Sequence, residues 1–344
     1  MSNDSYLSWL IRDTRTVWWH DSADTPELRL GLERGAVGVT TNPFLTDVAV
    51  RSNRDAWAEE IQAVIAQAPG KEQKAEGLMR IVVTNAARMF LPEFERSGGR
   101  MGYVCAQVNP LRAGDREAML PMAQRFHDWA PNIAVKLPAT AAGLDVLEEC
   151  TSQGITATAT VSFTVPQVVA VAEAHRRGIR RARANGTEPG RCFAVIMIGR
   201  LDDYLREVAQ DTQAGLEEAE IRQAGLAVSK RAYQIYRQCR YEAVLLIAAL
   251  RGAHHFTELA GGELIMSIAP KYQELFVGDS LAREVRIDQP APEEAVGRLR
   301  RVPEFVRAYE PDGMAVKEFI GYGVTQRTLS QFAELGWNLL ENFR

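Results

Sequence analysis

The stretch NIAVKLPAT, residues 132–140, is a short apolar run with one lysine inside it. Its length and composition are typical of a strand buried on both faces of a parallel sheet. Moving an ammonium group out of water is costly, so a lysine in such a strand tends to lose its proton. A neutral amine is a nucleophile that forms a Schiff base with a carbonyl compound. Lys136 is therefore the leading candidate for a catalytic group.

Similar short apolar strands recur along the chain, each followed by a helical pattern. They are predicted near residues 16–20, 35–39, 102–107, 132–137, 155–160, 192–198, 242–248 and 263–267. Eight alternations of strand and helix favour a (β/α)8 TIM barrel, an α/β fold, over a doubly wound sheet. No GxGxxG motif follows the first strand, which further weakens a dinucleotide-binding interpretation.

Helices outside this alternation are predicted at both ends of the chain. Residues 3–12 have an amphipathic pattern, and residues from about 285 to 344 look like a helical C-terminal extension packed on the barrel. Two further helices are expected near 52–67 and 72–92, after a turn that begins at Pro43. No linker or low-complexity segment interrupts the chain, so residues 1–344 are expected to form a single domain.

The overall charge limits the classes of partner. The net charge is −4, whereas nucleic acids and membrane surfaces select basic patches, so neither is an expected partner. The arginine-rich stretch 176–183 is the local exception, and we interpret it as a solvated helix end, with phosphate binding as the alternative. No run approaches the roughly 18 apolar residues of a membrane span.

The cysteines and the N-terminus indicate the compartment. None of the four cysteines belongs to a CxxC pair or lies near a histidine at metal-ligand spacing, so no metal site is expected. Cys105 and Cys192 lie in apolar strands, where a buried thiol is usual. The polar N-terminus lacks the apolar core of a signal peptide. A reducing, cytoplasmic setting is the expectation.

Polar residues stand at the carboxyl ends of the predicted strands, where barrels of this class place their active sites. The set is Asp21, Thr40, Asn42, Gln107, Lys136, Thr158, Thr160, Arg200 and Arg251. Asp21 is the candidate general acid and base for imine chemistry at Lys136. Gln107 and Thr160 are expected to hold a water that relays protons. The planar guanidinium groups of the two arginines suit a phosphate.

Structural interpretations of the same residues remain open at this point. Lys136 can instead pair with a carboxylate in a structural salt bridge. Asp21 lies in a sequence that caps helices well, and Asn42 can be a turn residue before a proline. His254 and His255 lie beyond the seventh strand and are interpreted as helix or surface residues, not as metal ligands.

Several of these stretches resemble the transaldolase family, and the match runs along nearly the whole barrel. TTNP at residues 40–43 resembles the family signature after the second strand. VKLPAT at residues 135–140 resembles the segment around the Schiff-base lysine. IGRLDDY at residues 198–204 resembles the segment with a phosphate-binding arginine, and Arg251 falls at the position of the second one.

The resemblance implies an activity and a role for each matching residue. Lys136 would form the imine, Asp21 would exchange protons with the donor hydroxyls, and Asn42 would bind the dihydroxyacetone part. Arg200 and Arg251 would bind the phosphate. The implied reaction moves a dihydroxyacetone unit between sugar phosphates without a metal or organic cofactor, in an enzyme that is often a homodimer.

The chain also departs from the family pattern. Gln107 stands where most transaldolases have glutamate, and the related fructose-6-phosphate aldolases have glutamine there. Those aldolases carry a tyrosine at the position of Met197. Thr158 replaces an asparagine, and serines are replaced by Val195 and Ala249. Two alternatives therefore stay open: a class I aldolase of the fructose-6-phosphate aldolase type, and a non-catalytic sugar-phosphate-binding barrel.

Overall fold

Eight parallel strands form a closed barrel in chain order in the computed structural model, which describes residues 5–276 and 281–344. This confirms the predicted TIM barrel. The strands are β1 Val17–His20, β2 Gly38–Val39, β3 Tyr103–Gln107, β4 Ile133–Pro138, β5 Ala157–Thr160, β6 Cys192–Met197, β7 Val244–Ala248 and β8 Leu264–Ile268. β1 pairs with both β2 and β8, which closes the ring.

The strands follow the pattern from which they were predicted. Every residue of β3, β4, β6 and β8 is buried, because one face lines the barrel and the other packs under helices. β2 is shorter than predicted and begins at Gly38, three residues after Gly35, whose φ of 87° turns the chain.

Helices surround the barrel and extend beyond it at both chain ends. They are α1 Tyr6–Asp13, α2 Thr25–Glu33, α3 Pro43–Ser52, α4 Ala58–Gln67, α5 Lys71–Arg96, α6 Arg116–His127, α7 Ala141–Ser152, α8 Val165–Ala184, α9 Ile198–Asp211, α10 Glu218–Cys239, α11 Ala253–Leu259, α12 Pro270–Gln273, α13 Glu293–Leu299, α14 Pro303–Tyr309, α15 Gly323–Phe332 and α16 Asn338–Glu341. Short 3-10 helices lie at Pro110–Arg112, Glu274–Phe276 and Val316–Gly321, and a π-helical turn spans Ala333–Trp337. None of the helices in the described ranges combines the length and the apolar composition needed to cross a membrane.

The turn predicted at Pro43 was wrong, because helix α3 begins there. Asn42 Oδ1 accepts a hydrogen bond from the backbone N–H of Leu45 at 3.0 Å and caps the helix. Proline at the first helical position has its φ fixed for the helix and lacks an N–H that would be unsatisfied anyway. The same Asn-Pro pair that can open a turn therefore opens a helix.

The C-terminal extension packs across the mouth of the barrel. At one end of α15, the α-carbon of Gly323 lies against the ring of Tyr204 on α9, so closely that a Cβ would come within 2.5 Å of the tyrosine hydroxyl. Past its other end, a Cβ on Gly336 would lie 2.5 Å from the backbone nitrogen of Phe44 at the start of α3. Because α9 follows β6 and α3 follows β2, which are four strands apart in a ring of eight, the segment spans the mouth.

Candidate active site

The predicted polar residues largely meet in one cavity of about 330 Å³ at the carboxyl ends of the strands. Seven of the nine line it, namely Asp21, Thr40, Asn42, Lys136, Thr160, Arg200 and Arg251. Apolar side chains from β6, β7 and α15 form much of the remaining wall. A small apolar cavity with a few converging polar groups is the usual form of a small-molecule site.

Lys136 is held in this cavity as a buried amine. The residue is 6% exposed, and its Nζ donates a hydrogen bond to the backbone carbonyl of Thr41 at 3.0 Å. Within residues 5–276 and 281–344 it forms no salt bridge, so the structural ion-pair interpretation is not supported. Burial lowers the pKa of Lys136 below its ordinary value, and the positive charge of Arg200 acts in the same direction. The neutral, nucleophilic amine is thereby favoured.

Asp21 lies at the end of a chain of hydroxyl groups. Thr40 Oγ1 donates to Asp21 Oδ1 at 2.6 Å and lies 2.6 Å from Ser267 Oγ on β8. Burial raises the pKa of Asp21, although the hydrogen bonds from the hydroxyls and the charge of Lys136 oppose this shift. The N-cap of α2 is Asp24, so helix capping does not account for Asp21. A carboxyl group with a raised pKa beside a buried amine is suited to proton transfer.

Gln107 and Thr158 lie beside Lys136 in the sheet but do not line the cavity. The register pairs Lys136 with Gln107 on β3 and with Thr158 on β5, so the three side chains point to the same side of the sheet. Thr158 Oγ1 lies 3.5 Å from Cys105 Sγ. Both predicted residues are therefore at the level of the amine, beneath the open part of the site.

Two buried oxygens near Lys136 lack partners among the residues that the structure describes. They are Gln107 Oε1 and Thr160 Oγ1, and both residues are at most 2% exposed. A buried polar atom without a hydrogen bond is costly, and ordered water or a ligand commonly satisfies it. The arrangement is thus suited to a bound water next to the amine.

Arg200 and Arg251 approach the cavity from one side, with different partners. Arg200 Nη1 donates to the side-chain oxygen of Gln331, and its guanidinium lies 5.3 Å from the ring centre of Phe332. Arg251 forms two hydrogen bonds to Asp203 Oδ2, at 2.8 and 3.0 Å. Burial lowers the pKa of Arg200, and the neighbouring charge of Arg251 adds to this. Two guanidinium groups that line one cavity are suited to a doubly charged anion.

Comparison with known proteins places this site in a family. The sequence profile described as Transaldolase/Fructose-6-phosphate aldolase matches residues 18–307. The chain belongs to this family. It is 29% identical over 324 residues to a protein named Transaldolase from Thiobacillus denitrificans, covering 89% of this chain and 88% of that one. Proteins of the same name from Neisseria gonorrhoeae and Neisseria meningitidis serogroup A are 28% and 27% identical over 314 residues, each covering 90% of this chain and 80% of the relative.

Three of the five positions at which the chain departs from the family pattern lie in the cavity wall, and the other two, Gln107 and Thr158, flank Lys136 in the sheet. Val195, Met197 and Ala249 all line the cavity. Ala249 has a φ of 57° and Val161, directly after β5, has a φ of 53°. Non-glycine residues in this left-handed region are strained, and such residues cluster at functional sites. The backbone of this chain is therefore constrained after β5 and β7, and its cavity wall is apolar at Val195, Met197 and Ala249.

Some cavity residues were not identified from the sequence. The hydroxyl of Ser267 contacts Thr40. Ser267 stands at the end of the predicted eighth strand, and this position could have identified it as a site residue from the sequence. Lys271 and Phe332 also line the cavity. They come from the segment after β8 and from α15, where no pattern indicates the direction of a side chain.

The histidines after β7 are helical, as interpreted, but His255 is not at the surface. It is fully buried, and its Nδ1 accepts the backbone N–H of Arg251 at 3.1 Å. Its Nε2 therefore carries the proton and donates to Asp202 Oδ2 at 3.0 Å. Ligand-type atoms of Asp202, His254 and His255 lie within 4.8 Å of one another. Each ring nitrogen of His255 already has a hydrogen-bond partner in the protein.

Proposed function

We propose that this chain is a transaldolase that moves a dihydroxyacetone unit from a ketose phosphate to an aldose phosphate through a Schiff base on Lys136. The observation that carries the proposal is a buried amine with no ion pair in the described residues, in one cavity with Asp21 and two arginines. Family membership and the names of the relatives support the same activity.

The first half-reaction removes the three-carbon unit from the donor. Lys136 attacks the ketone carbonyl, and loss of water from the carbinolamine gives the imine. Asp21 then takes the proton of the donor hydroxyl whose carbon becomes the aldehyde. The adjacent carbon–carbon bond breaks, its electrons pass into the imine as an enamine, and the aldose phosphate leaves. In the second half-reaction the enamine attacks an acceptor aldehyde, Asp21 returns the proton, and water releases the product.

Binding groups hold the substrate at its two ends. Asn42 uses Oδ1 to cap α3, which leaves its amide nitrogen for the hydroxyls of the dihydroxyacetone part, alongside Thr40. Arg200 and Arg251 take the phosphate. Arg251 already forms an ion pair with Asp203. The substrate phosphate therefore has to displace part of that ion pair when it binds.

A water between Gln107 and Thr160 serves as the proton relay during imine formation and hydrolysis. The unpartnered oxygens of both residues support this assignment. Glutamine donates and accepts hydrogen bonds but does not itself take a proton at neutral pH, so the relay depends on the water and on Asp21. Thr158 contributes indirectly, because its hydroxyl contacts Cys105 below the amine.

The second candidate is an aldolase that releases free dihydroxyacetone, and Gln107 is the residue that favours it. Incubation with fructose 6-phosphate, with and without erythrose 4-phosphate, separates the two activities. A transaldolase gives product at an appreciable rate only with the acceptor. Free dihydroxyacetone formed at a comparable rate without acceptor would identify the aldolase, and no turnover with any ketose would favour the non-catalytic barrel.

We also propose a cytoplasmic homodimer. Leu335 and Leu339 are 54% and 40% exposed, and Val48 on the adjoining α3 is 40% exposed. Neighbouring exposed aliphatic side chains are typical of a surface that a second subunit covers. Light scattering after gel filtration should give twice the chain mass, and Leu335→Glu should give the monomer mass.

A further inference from the structure

Arg200 differs from Arg206, Arg251 and Arg327 in having no carboxylate partner among the residues that the structure describes. Arg206, Arg251 and Arg327 each form a salt bridge with a carboxylate. Arg200 forms none within residues 5–276 and 281–344, and its hydrogen bond goes to the amide oxygen of Gln331. A neutral acceptor orients a guanidinium without cancelling its charge.

Gln331 and the next residue, Phe332, fix Arg200 from two directions. The amide oxygen holds Nη1 at the edge of the guanidinium group, and the ring of Phe332 lies 5.3 Å from its central carbon. Phe332 lines the main cavity, and Gln331 lines an adjoining cavity of about 380 Å³. Arg200 lines both. Its charge is therefore held at the boundary between them.

The helix that carries both residues is itself anchored to α9, the helix of Arg200. Arg327 on α15 pairs with Glu207 on α9, and the rings of Tyr204 and Tyr322 make an edge-to-face contact at 5.5 Å. One anchor lies within α15 and the other at Tyr322, directly before it, and together they fix the position of Gln331 relative to Arg200. The contact is therefore a property of the docked C-terminal extension, not of an isolated side chain.

We infer that Gln331, supported by Phe332, is a positioning residue that sets the preference of the site for phosphorylated sugars. It holds Arg200 in place for the phosphate and leaves the full charge of that arginine available. This inference rests on the proposed function, since it assigns to the substrate phosphate the position between Arg200 and Arg251. It adds that a helix outside the barrel controls which sugars are selected.

The decisive substitution is Gln331→Glu, which keeps the shape of the side chain and adds a carboxylate. The new charge neutralises Arg200, so phosphate has to compete for it. The ratio of kcat/KM for fructose 6-phosphate to that for unphosphorylated fructose should fall about tenfold or more, mainly through KM for the phosphorylated sugar. Gln331→Met, which removes the acceptor without adding charge, should lower the ratio by a smaller factor.

Gln326→Glu is the matched control, because it adds the same charge to the same helix. Gln326 is exposed and bonds to the backbone carbonyl of Ile320, away from Arg200, so the ratio should stay at the wild-type value. A general loss of structure would lower both rates alike, so the variant must keep the wild-type kcat/KM for unphosphorylated fructose. An unchanged ratio in a Gln331→Glu protein that meets this condition would overturn the inference.

Calorimetric titration with inorganic phosphate makes the test independent of catalysis. The affinity of Gln331→Glu for phosphate should be weaker by about tenfold or more than that of the wild type and of Gln326→Glu. Equal affinities for all three proteins would contradict the positioning role even if the chain forms no imine. Failure of the proposed function and failure of this inference are thus separate results.

Discussion

Thr41 holds the amine of Lys136 through its backbone carbonyl, at 3.0 Å from Nζ. The hydroxyl of the same threonine donates to the carbonyl of Cys105 on β3 at 2.7 Å. One residue of the TTNP segment, directly after β2, thus contacts both β3 and β4. Because the carbonyl is neutral, it orients the amine without stabilising the ammonium as a carboxylate would, which is what a Schiff-base lysine requires.

The charge of Asp21 should tune the pH dependence of imine formation. The pKa of Lys136 is lowered by burial and raised again in part by the negative charge of Asp21. Removing that charge with Asp21→Asn should lower this pKa further. Only the neutral amine attacks the carbonyl group. The rate of imine formation therefore rises as the pH passes through the pKa of Lys136 in the folded protein. The rising limb should therefore move to lower pH in Asp21→Asn, measured as the pH profile of borohydride-trapped adduct.

The control for this experiment is Asp24→Asn, three residues along the chain. Asp24 lies at the start of α2, where it accepts a hydrogen bond from Asn53, and does not line the cavity. Its pH profile should match that of the wild type. A rising limb of Asp21→Asn at the wild-type position or at higher pH would show that the two groups are not coupled as the structure indicates.

Gln107→Glu should shift the balance from aldol cleavage toward transfer. The substitution places a group that exchanges protons beside Lys136 in the barrel register, where the relay water is proposed to bind. The ratio of transfer product to free dihydroxyacetone should rise, measured with fructose 6-phosphate and erythrose 4-phosphate. Gln107→Met, of similar size but without hydrogen-bonding groups, should slow both reactions; an equal ratio in the wild type and Gln107→Glu would argue against the relay.

Gly336→Ala should loosen the C-terminal extension from the barrel mouth. A Cβ there would lie 2.5 Å from the backbone nitrogen of Phe44, so one of the two segments must shift. Overpacking of this kind lowers the free energy of unfolding by about 1–3 kcal/mol. Gly297→Ala is the matched control: nothing lies within 4 Å of its Cβ position on α13, and alanine there should raise stability by about 0.5–1 kcal/mol.

Denaturant unfolding measures both glycine variants. If residues 1–344 form one domain, as we propose, each protein should unfold in a single transition with the midpoint shifted in the expected direction. A separate early transition in Gly336→Ala would show that the extension unfolds by itself. Equal midpoints for the two variants would contradict the close contact with α3.

The barrel was predictable because each strand is a short buried run bounded by polar residues or glycine. The burial of the Lys136 side chain was predictable for the same reason, because its charge lies inside such a run. The start of α3 was not, because an Asn-Pro pair opens either a turn or a helix. The contact between Arg200 and Gln331 joins residues 131 positions apart, and that between Thr40 and Ser267 joins residues 227 apart. Local patterns carry no information on such pairs.

Trapping of the imine tests the central claim most directly. The protein is incubated with dihydroxyacetone or fructose 6-phosphate, reduced with borohydride, digested and analysed by mass spectrometry. We expect a stable adduct on the peptide that contains Lys136, and none in Lys136→Met, which removes the amine and keeps the buried side chain. An adduct on another lysine, such as Lys271 in the same cavity, or none with any of a broad panel of ketoses, would contradict the assignment of Lys136 as the Schiff-base residue.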